Sequence, residues 1–147
     1  LYLFEKDILK HSFPVSTSSF GEGSIENSFK TPLGSHQIKE KIGTNVPINT
    51  IFIARENTSK KANIINEKID SDDDFVTSRI LWLDGLEEGK NKGSGVDSYD
   101  RYIYIHGTHE EGLIGQKASH GCIRMFNQDV IYLYDKVEEG TKVLIRA

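Results

Sequence analysis

The stretch Lys117-Ala-Ser-His-Gly-Cys-Ile-Arg-Met125 contains the only cysteine and the only methionine of the chain. Ser119, His120 and Gly121 lead into the thiol, and Arg124 stands two places after it. These residue types together suit acyl transfer. An ordinary cysteine is only roughly 3% thiolate at neutral pH, so a nucleophilic one needs a base or a positive field. Two histidines could supply the base. His120, two residues from Cys122, points the same way as the thiol in an extended segment. His106 lies 16 residues upstream, where a returning loop can bring it alongside. Gly121 has no β-carbon to obstruct a substrate carbonyl, and the N–H groups of Gly121 and Cys122 could form an oxyanion hole. Arg124 offers a planar fork for a carboxylate and shares the face of Cys122 in an extended strand.

Other uses of these residues stay open at this point. A free cysteine is often a small buried hydrophobe. His106, His109, His120 and Cys122 provide four zinc donors, but their spacing matches no common zinc signature, and a closed zinc site leaves Arg124 without a purpose. Arg124 itself could be structural, paired with an acid in the helix that follows.

The elements that must position these residues are mostly strands. Arg101-Tyr-Ile-Tyr-Ile-His-Gly107 alternates, with Tyr102, Tyr104 and His106 on one face and Arg101, Ile103 and Ile105 on the other, so His106 ends a strand. Tyr104, beside it, is a candidate to line a substrate site. Leu1 to Phe4 and Ser12 to Val15 read as a hairpin turning around Lys6 and Asp7. Gly21, Gly23 and Asn27 mark a loop, Pro32 and Gly34 a turn into an extended segment, and Ile51 to Ile53 a buried strand. Residues 56 to 74 are polar. Their acidic cluster, Asp70, Asp72, Asp73 and Asp74, lacks the glycine and distal glutamate of a calcium loop and reads as solvated. Val76 to Gly85 is a strand, followed by a glycine-rich loop. Asn127 to Val137 is the one convincing helix, with Asn127 as N-cap and Val130, Ile131, Leu133, Tyr134 and Val137 buried. Gly140 to Ala147 closes as a strand. The expected fold is mainly β, a small closed or partly closed barrel or sandwich with one packed helix.

The chain has 147 residues, suited to one domain spanning 1–147, with 37% hydrophobic and 27% charged residues. Its net charge of −4 and lack of a basic stripe argue against nucleic-acid binding. No apolar run approaches the roughly 20 residues that span a bilayer. The absence of an initiating methionine suggests a processed or trimmed chain, with any signal or anchor segment out of view. A single cysteine excludes an internal disulfide, which fits either the cytosol or a thiol enzyme in an oxidising compartment.

Ile105-His-Gly107 followed by Ser119-His-Gly-Cys-Ile-Arg-Met125 resembles the L,D-transpeptidase (YkuD-type) family of bacterial cell-wall enzymes. The resemblance extends to Lys30–Ile38, Ser78–Gly85, Asp129–Val137 and Gly140–Ile145, nearly the whole chain. It implies Cys122 as nucleophile, His106 as general base, and the Gly107 carbonyl as the group that orients the imidazole. His120 and Gly121 would shape the oxyanion hole, and Ser119 would support the loop next to substrate. The family often carries Asn where this chain has Arg124, so a substrate-binding Arg124 rests partly on chemistry. The position of His36 is often aromatic in relatives and is left without a role, and His109 reads as an ordinary loop residue. The implied substrates are peptidoglycan stem peptides, with a stem amine, a protein lysine or water as acceptor. No cofactor is implied, and the implied location is the periplasm or cell envelope. A carboxypeptidase on the same peptides, and a peptidoglycan-binding module with an inert thiol, are the competing functions; nothing fixes the oligomeric state.

Overall fold

The computed structural model describes residues 1–147. Its elements are β1 (Tyr2–Glu5), β2 (Ile8–Ser12), β3 (Val15–Ser16), β4 (Gly34–Ile42), β5 (Thr50–Ile53), β6 (Glu56–Lys61), β7 (Val76–Gly85), β8 (Tyr104–Thr108), β9 (Ile123–Met125), the helix α1 (Asn127–Lys136) and β10 (Lys142–Ile145). The main sheet runs β10-β4-β7-β8-β9-β3, with β5 joined to β7 and β6 to β5. It curls into a half-barrel carrying one helix, the mainly β architecture that the alternating segments predict.

Strand β7 shows how the sequence divides this sheet into two faces. Leu81 and Leu83 point to one side, while Ile80 and Trp82 point to the other, and all four are buried. On the first side they meet Ile103, Ile105, Ile123 and Met125, capped by Val130, Leu133 and Tyr134 of α1. On the second side Phe52, Ile80, Trp82 and Tyr104 form a smaller cluster against which Cys122 packs. The helix therefore closes one face and leaves the other for chemistry.

All strand pairs in the main sheet are antiparallel except β8 with β9, which are parallel with His106 opposite Arg124. A parallel pair needs a crossover rather than a tight turn, and residues 109–122 supply it. Strand β3 then pairs with the free side of β9, Ser16 opposite Arg124.

Several sequence-based expectations shift. The opening hairpin turns at Lys6 and Asp7, both with positive φ as a two-residue primed turn requires, so its second strand is Ile8–Ser12. Val15 and Ser16 form β3 and pair with β9 instead. Residues 56–61, noted only as polar, form the second strand of a hairpin with β5, and Ile53, expected inside, is 64% exposed. His106 lies in the middle of β8, which continues to Thr108, and Arg101 and Tyr102 belong to the preceding turn. Phe126, not Asn127, holds the helix-cap position, and Ile131 is only half-buried. Asn127 is used elsewhere. Its Oδ1 accepts from the Thr77 and Ser78 hydroxyls, both at 2.6 Å, and its Nδ2 donates to the Thr108 carbonyl at 2.8 Å, which ties the helix to β7 and β8.

Candidate active site

Tyr104 and His106 on β8, with Arg124 on β9 and Cys122 immediately before it, project from the face opposite the helix. Their even spacing along paired parallel strands places them there. Gly107 follows His106 and has no room for a side chain. A β-carbon would lie 2.6 Å from the Thr77 carbonyl oxygen and closer still to Asn127 Oδ1. The close packing of β7 and α1 thus requires glycine beside the histidine.

The imidazole of His106 is 2% exposed and its Nδ1 lies 2.5 Å from the Gly107 carbonyl oxygen. That contact makes Nδ1 the protonated nitrogen and leaves Nε2 as the basic one. Burial, only partly opposed by this hydrogen bond and by Asp74, lowers the His106 pKa to about 4. The half-buried thiol of Cys122 accepts the Tyr104 N–H and donates to the Tyr102 carbonyl, both at 3.3 Å. Burial raises its pKa to about 11, although the Tyr104 N–H and the charges of Arg124 and Arg101 pull it down. At neutral pH the pair is therefore a neutral imidazole and a neutral thiol. In this arrangement the S–H is directed to Tyr102, so it must rotate to hand its proton to His106.

The turn 119–122 is fixed from below and from the side. Ser119, 1% exposed, donates its hydroxyl to the Cys122 carbonyl at 2.6 Å and accepts the Gly121 N–H at 3.2 Å. Ser119 thus braces the loop from inside and, so enclosed, is not positioned to touch substrate. Because Ser119 already engages the Gly121 N–H, the Cys122 N–H, which has no protein partner, is the donor available to an oxyanion. Gly121 adopts φ +124°, and Thr31 Oγ1 donates to its carbonyl at 3.0 Å. Backbone bonds from Ala118 and Ser119 to the Thr17 carbonyl hold the loop against the segment after β3. The His120 ring lies outside, about half-exposed. Its Nδ1 is 3.0 Å from Asp74 Oδ2 and it sits beside the rings of Phe20 and Phe29, so only its backbone can contribute to the turn's interior.

Arg124 differs most from expectation. Its guanidinium is 2% exposed, with Nη1 donating to Glu110 Oε1 at 3.1 Å and Nη2 to Asp74 Oδ1 at 2.5 Å. Both terminal nitrogens are taken, so no free fork faces a substrate carboxylate. Its partners come from the loops before β7 and after β8, not from the following helix. Burial works to raise the pKa of Asp74, but Arg124 and the His120 hydrogen bond hold it below its usual value. Glu110, 1% exposed, also accepts the Ser71 N–H at 2.6 Å. Removing Arg124 would leave this buried carboxylate uncompensated. Arg124→Ala is expected to cost about 3–5 kcal/mol of stability in urea unfolding. A loss below about 1 kcal/mol would show that the network carries no structural weight.

Tyr104 is 7% exposed. It packs edge-on against Trp82, and its hydroxyl accepts from Arg55 Nη1 at 3.1 Å. Of the remaining histidines, His36 is fully buried between the Gly34 carbonyl and Ser98. His109, expected as an ordinary loop residue, is instead 3% exposed, faces Phe75 and lies 3.0 Å from Ser71 Oγ. No three His, Cys, Asp or Glu side chains converge in a metal-binding arrangement. Asp74, Glu110, Thr31 and Arg55 escaped sequence reading. Asp74 stood in an acidic run, and the only clue to its role was its position just ahead of a strand that pairs with the histidine strand.

Residues 1–145 match the family model described as the L,D-transpeptidase catalytic domain. Among similar proteins, YkuD of Bacillus subtilis (strain 168) is 54% identical over 65 residues, covering 41% of this chain and 40% of that protein. YbiS of Escherichia coli (strain K12) is 46% identical over 43 residues, 29% of this chain and 14% of its own length. Both carry L,D-transpeptidase in their names. An L,D-transpeptidase from Mycobacterium smegmatis has the same fold, with TM-score 0.50 and 16% identity over 95% of this chain and 50% of its own. L,D-transpeptidase 3 from Mycobacterium tuberculosis gives 0.50 and 17% over 99% and 47%. The chain spans about half the length of these structures, and the matched segments cover less than half of the relatives named.

Proposed function

Because the chain belongs to the L,D-transpeptidase catalytic domain family, we propose that it is a cysteine acyltransferase acting on peptidoglycan stem peptides. The observation that carries this reading is the shared face of Cys122, just before β9, and His106 on the adjacent parallel strand β8, with the imidazole tautomer set by the Gly107 carbonyl.

In the first half-reaction Sγ attacks the carbonyl that joins the L-centre of the diamino acid to terminal D-alanine. His106 Nε2 takes the thiol proton as the S–C bond forms, and the Cys122 N–H stabilises the developing oxyanion. Nε2 then returns the proton to the leaving nitrogen, the C–N bond breaks and D-alanine departs, leaving a thioester. In the second half-reaction an amine attacks the thioester, His106 takes its proton, and the thiol is restored with it. A stem amine gives a cross-link, a protein lysine an anchored protein, and water a trimmed peptide. Both half-reactions use the same residues.

L,D-transpeptidases are cell-wall enzymes, so the location that follows is the periplasm or cell envelope. No helix is long and apolar enough to cross a membrane.

Incubating the protein with purified stem tetrapeptide should add the mass of the tripeptide acyl group to Cys122, with release of D-alanine. Adding an amine acceptor should discharge the adduct into a new amide. Release of D-alanine without any adduct or amide product under rapid quench would point to direct hydrolysis and overturn the thioester reading.

A further inference from the structure

With Arg124 buried in its ion pairs, the thiol-bearing face presents a different guanidinium. Arg55 sits at the tip of the β5–β6 hairpin. Its guanidinium carbon lies 4.9 Å from the centre of the Trp82 ring and 5.1 Å from that of Tyr102, and its Nη1 donates to the Tyr104 hydroxyl at 3.1 Å. Tyr104 in turn donates its N–H to Cys122 Sγ, so one residue separates the cation from the candidate nucleophile. No carboxylate lies within ion-pair distance of Arg55. Arg101, also near the thiol, commits its terminal nitrogens to the Gly23 and Lys30 carbonyls. The hairpin does not ask for arginine. Ala54 and Arg55 have φ +47° and +69°, a turn that favours Asn and Gly, so the side chain is held at some cost to the backbone.

We propose that Arg55, fixed over Trp82 and Tyr102, binds a free carboxylate of the donor peptide and so sets the enzyme's preference for acidic stems. This rests on the acyl-transfer reading above. A planar guanidinium held on aromatic faces keeps its edge free for a bidentate carboxylate, and the partial desolvation strengthens that contact. The carboxylate could be that of the terminal residue or that of the diamino-acid side chain; both present the same anion to this shelf.

The test measures kcat/KM for acylation of wild type, Arg55→Asn and Arg55→Lys. Each is compared on a tetrapeptide with both carboxylates free, one amidated at the terminus and one amidated at the side chain. Asn suits the left-handed turn, so Arg55→Asn should keep or raise Tm while lowering kcat/KM on the free-acid peptide by about 10- to 100-fold. One amidated peptide should lose as much with wild type and show no further loss with Arg55→Asn, which identifies the carboxylate bound. Arg55→Lys should recover part of the rate. If Arg55→Asn slows all three peptides equally, or none, carboxylate recognition by Arg55 is refuted while acyl transfer stands. If wild type forms no adduct with any of them, the acyl-transfer reading fails and the Arg55 assignment falls with it.

Discussion

Cys122→Ala is expected to abolish turnover, by on the order of 10⁴-fold or more, while the protein folds almost as before. The thiol is half-buried at the edge of the Phe52, Ile80, Trp82 and Tyr104 cluster, and its two backbone contacts at 3.3 Å are weak ones to sulfur. Losing the sulfur therefore removes little packing but all of the covalent route. Cys122→Ser is expected to be nearly as inactive. A serine hydroxyl is far less acidic than a thiol, and a histidine whose pKa is about 4 is a weak base with which to deprotonate it. Both variants should still bind the stem tetrapeptide and show no acyl mass. Wild-type-like release of D-alanine by Cys122→Ala, in protein free of wild type, would remove the nucleophile assignment.

The second large effect concerns His106. His106→Ala is expected to slow acylation by about 10²–10⁴-fold, the usual cost of losing a general base. Its pH signature separates this role from a preformed thiolate–imidazolium pair. With His106 near 4 and Cys122 near 11, the free enzyme holds both groups neutral across the middle of the pH range. Alkylation of wild-type Cys122 by iodoacetamide should then be slow at neutral pH and climb toward pH 11. Acylation by peptide should fall on the acid side only near pH 4. Slow alkylation would not mark an inert thiol, because peptide acylation moves the proton during attack. An alkylation profile that is already flat between pH 6 and 8 would contradict the neutral pair.

The same shift bears on stability. His106 takes a proton less readily when folded, near pH 4, than when unfolded, near 6.5, so acid favours the unfolded chain. Its contribution is complete above about pH 6.5 and is lost as pH falls toward 4, about 3 kcal/mol over that window. His106→Ala should lack this part of the acid dependence in urea unfolding. Asp74, with its pKa lowered in the fold, adds a loss in the same direction at still lower pH, and this should persist in the variant.

Local pattern made much of this legible. The alternation around His106, the apolar stripe of α1 and the glycines at 107 and 121 follow from periodicity and steric need. The resemblance directed attention to Cys122 and His106. What stayed hidden depends on partners distant in sequence and on polar segments without a period. The carboxylates that occupy Arg124 lie 14 and 50 residues before it, so the extended-strand argument found its face but not its neighbours. Residues 56–61 gave no strand signal because β6, an edge strand with little burial, has no need of apolar alternation. Asp74 looked solvated because nothing in an acidic run marks which carboxylate turns inward. Arg55 escaped notice because a hairpin tip is unremarkable until Trp82, Tyr102 and Tyr104 are seen beneath it.

The attachment of the thiol loop to the segment after β3 couples chemistry to the history of the chain. Thr17 holds Ala118 and Ser119 through its carbonyl, and Ser19 binds the Ser119 carbonyl, across a separation of about one hundred residues. Contacts of that span form only after a large loop has closed, at an entropic cost that disfavours their early appearance. During synthesis the early segment must wait for nearly the whole sheet before it meets its partner. A nascent or partly unfolded chain thus carries the sulfur without the braced turn, and the proposed acyl transfer has to await that long-range closure.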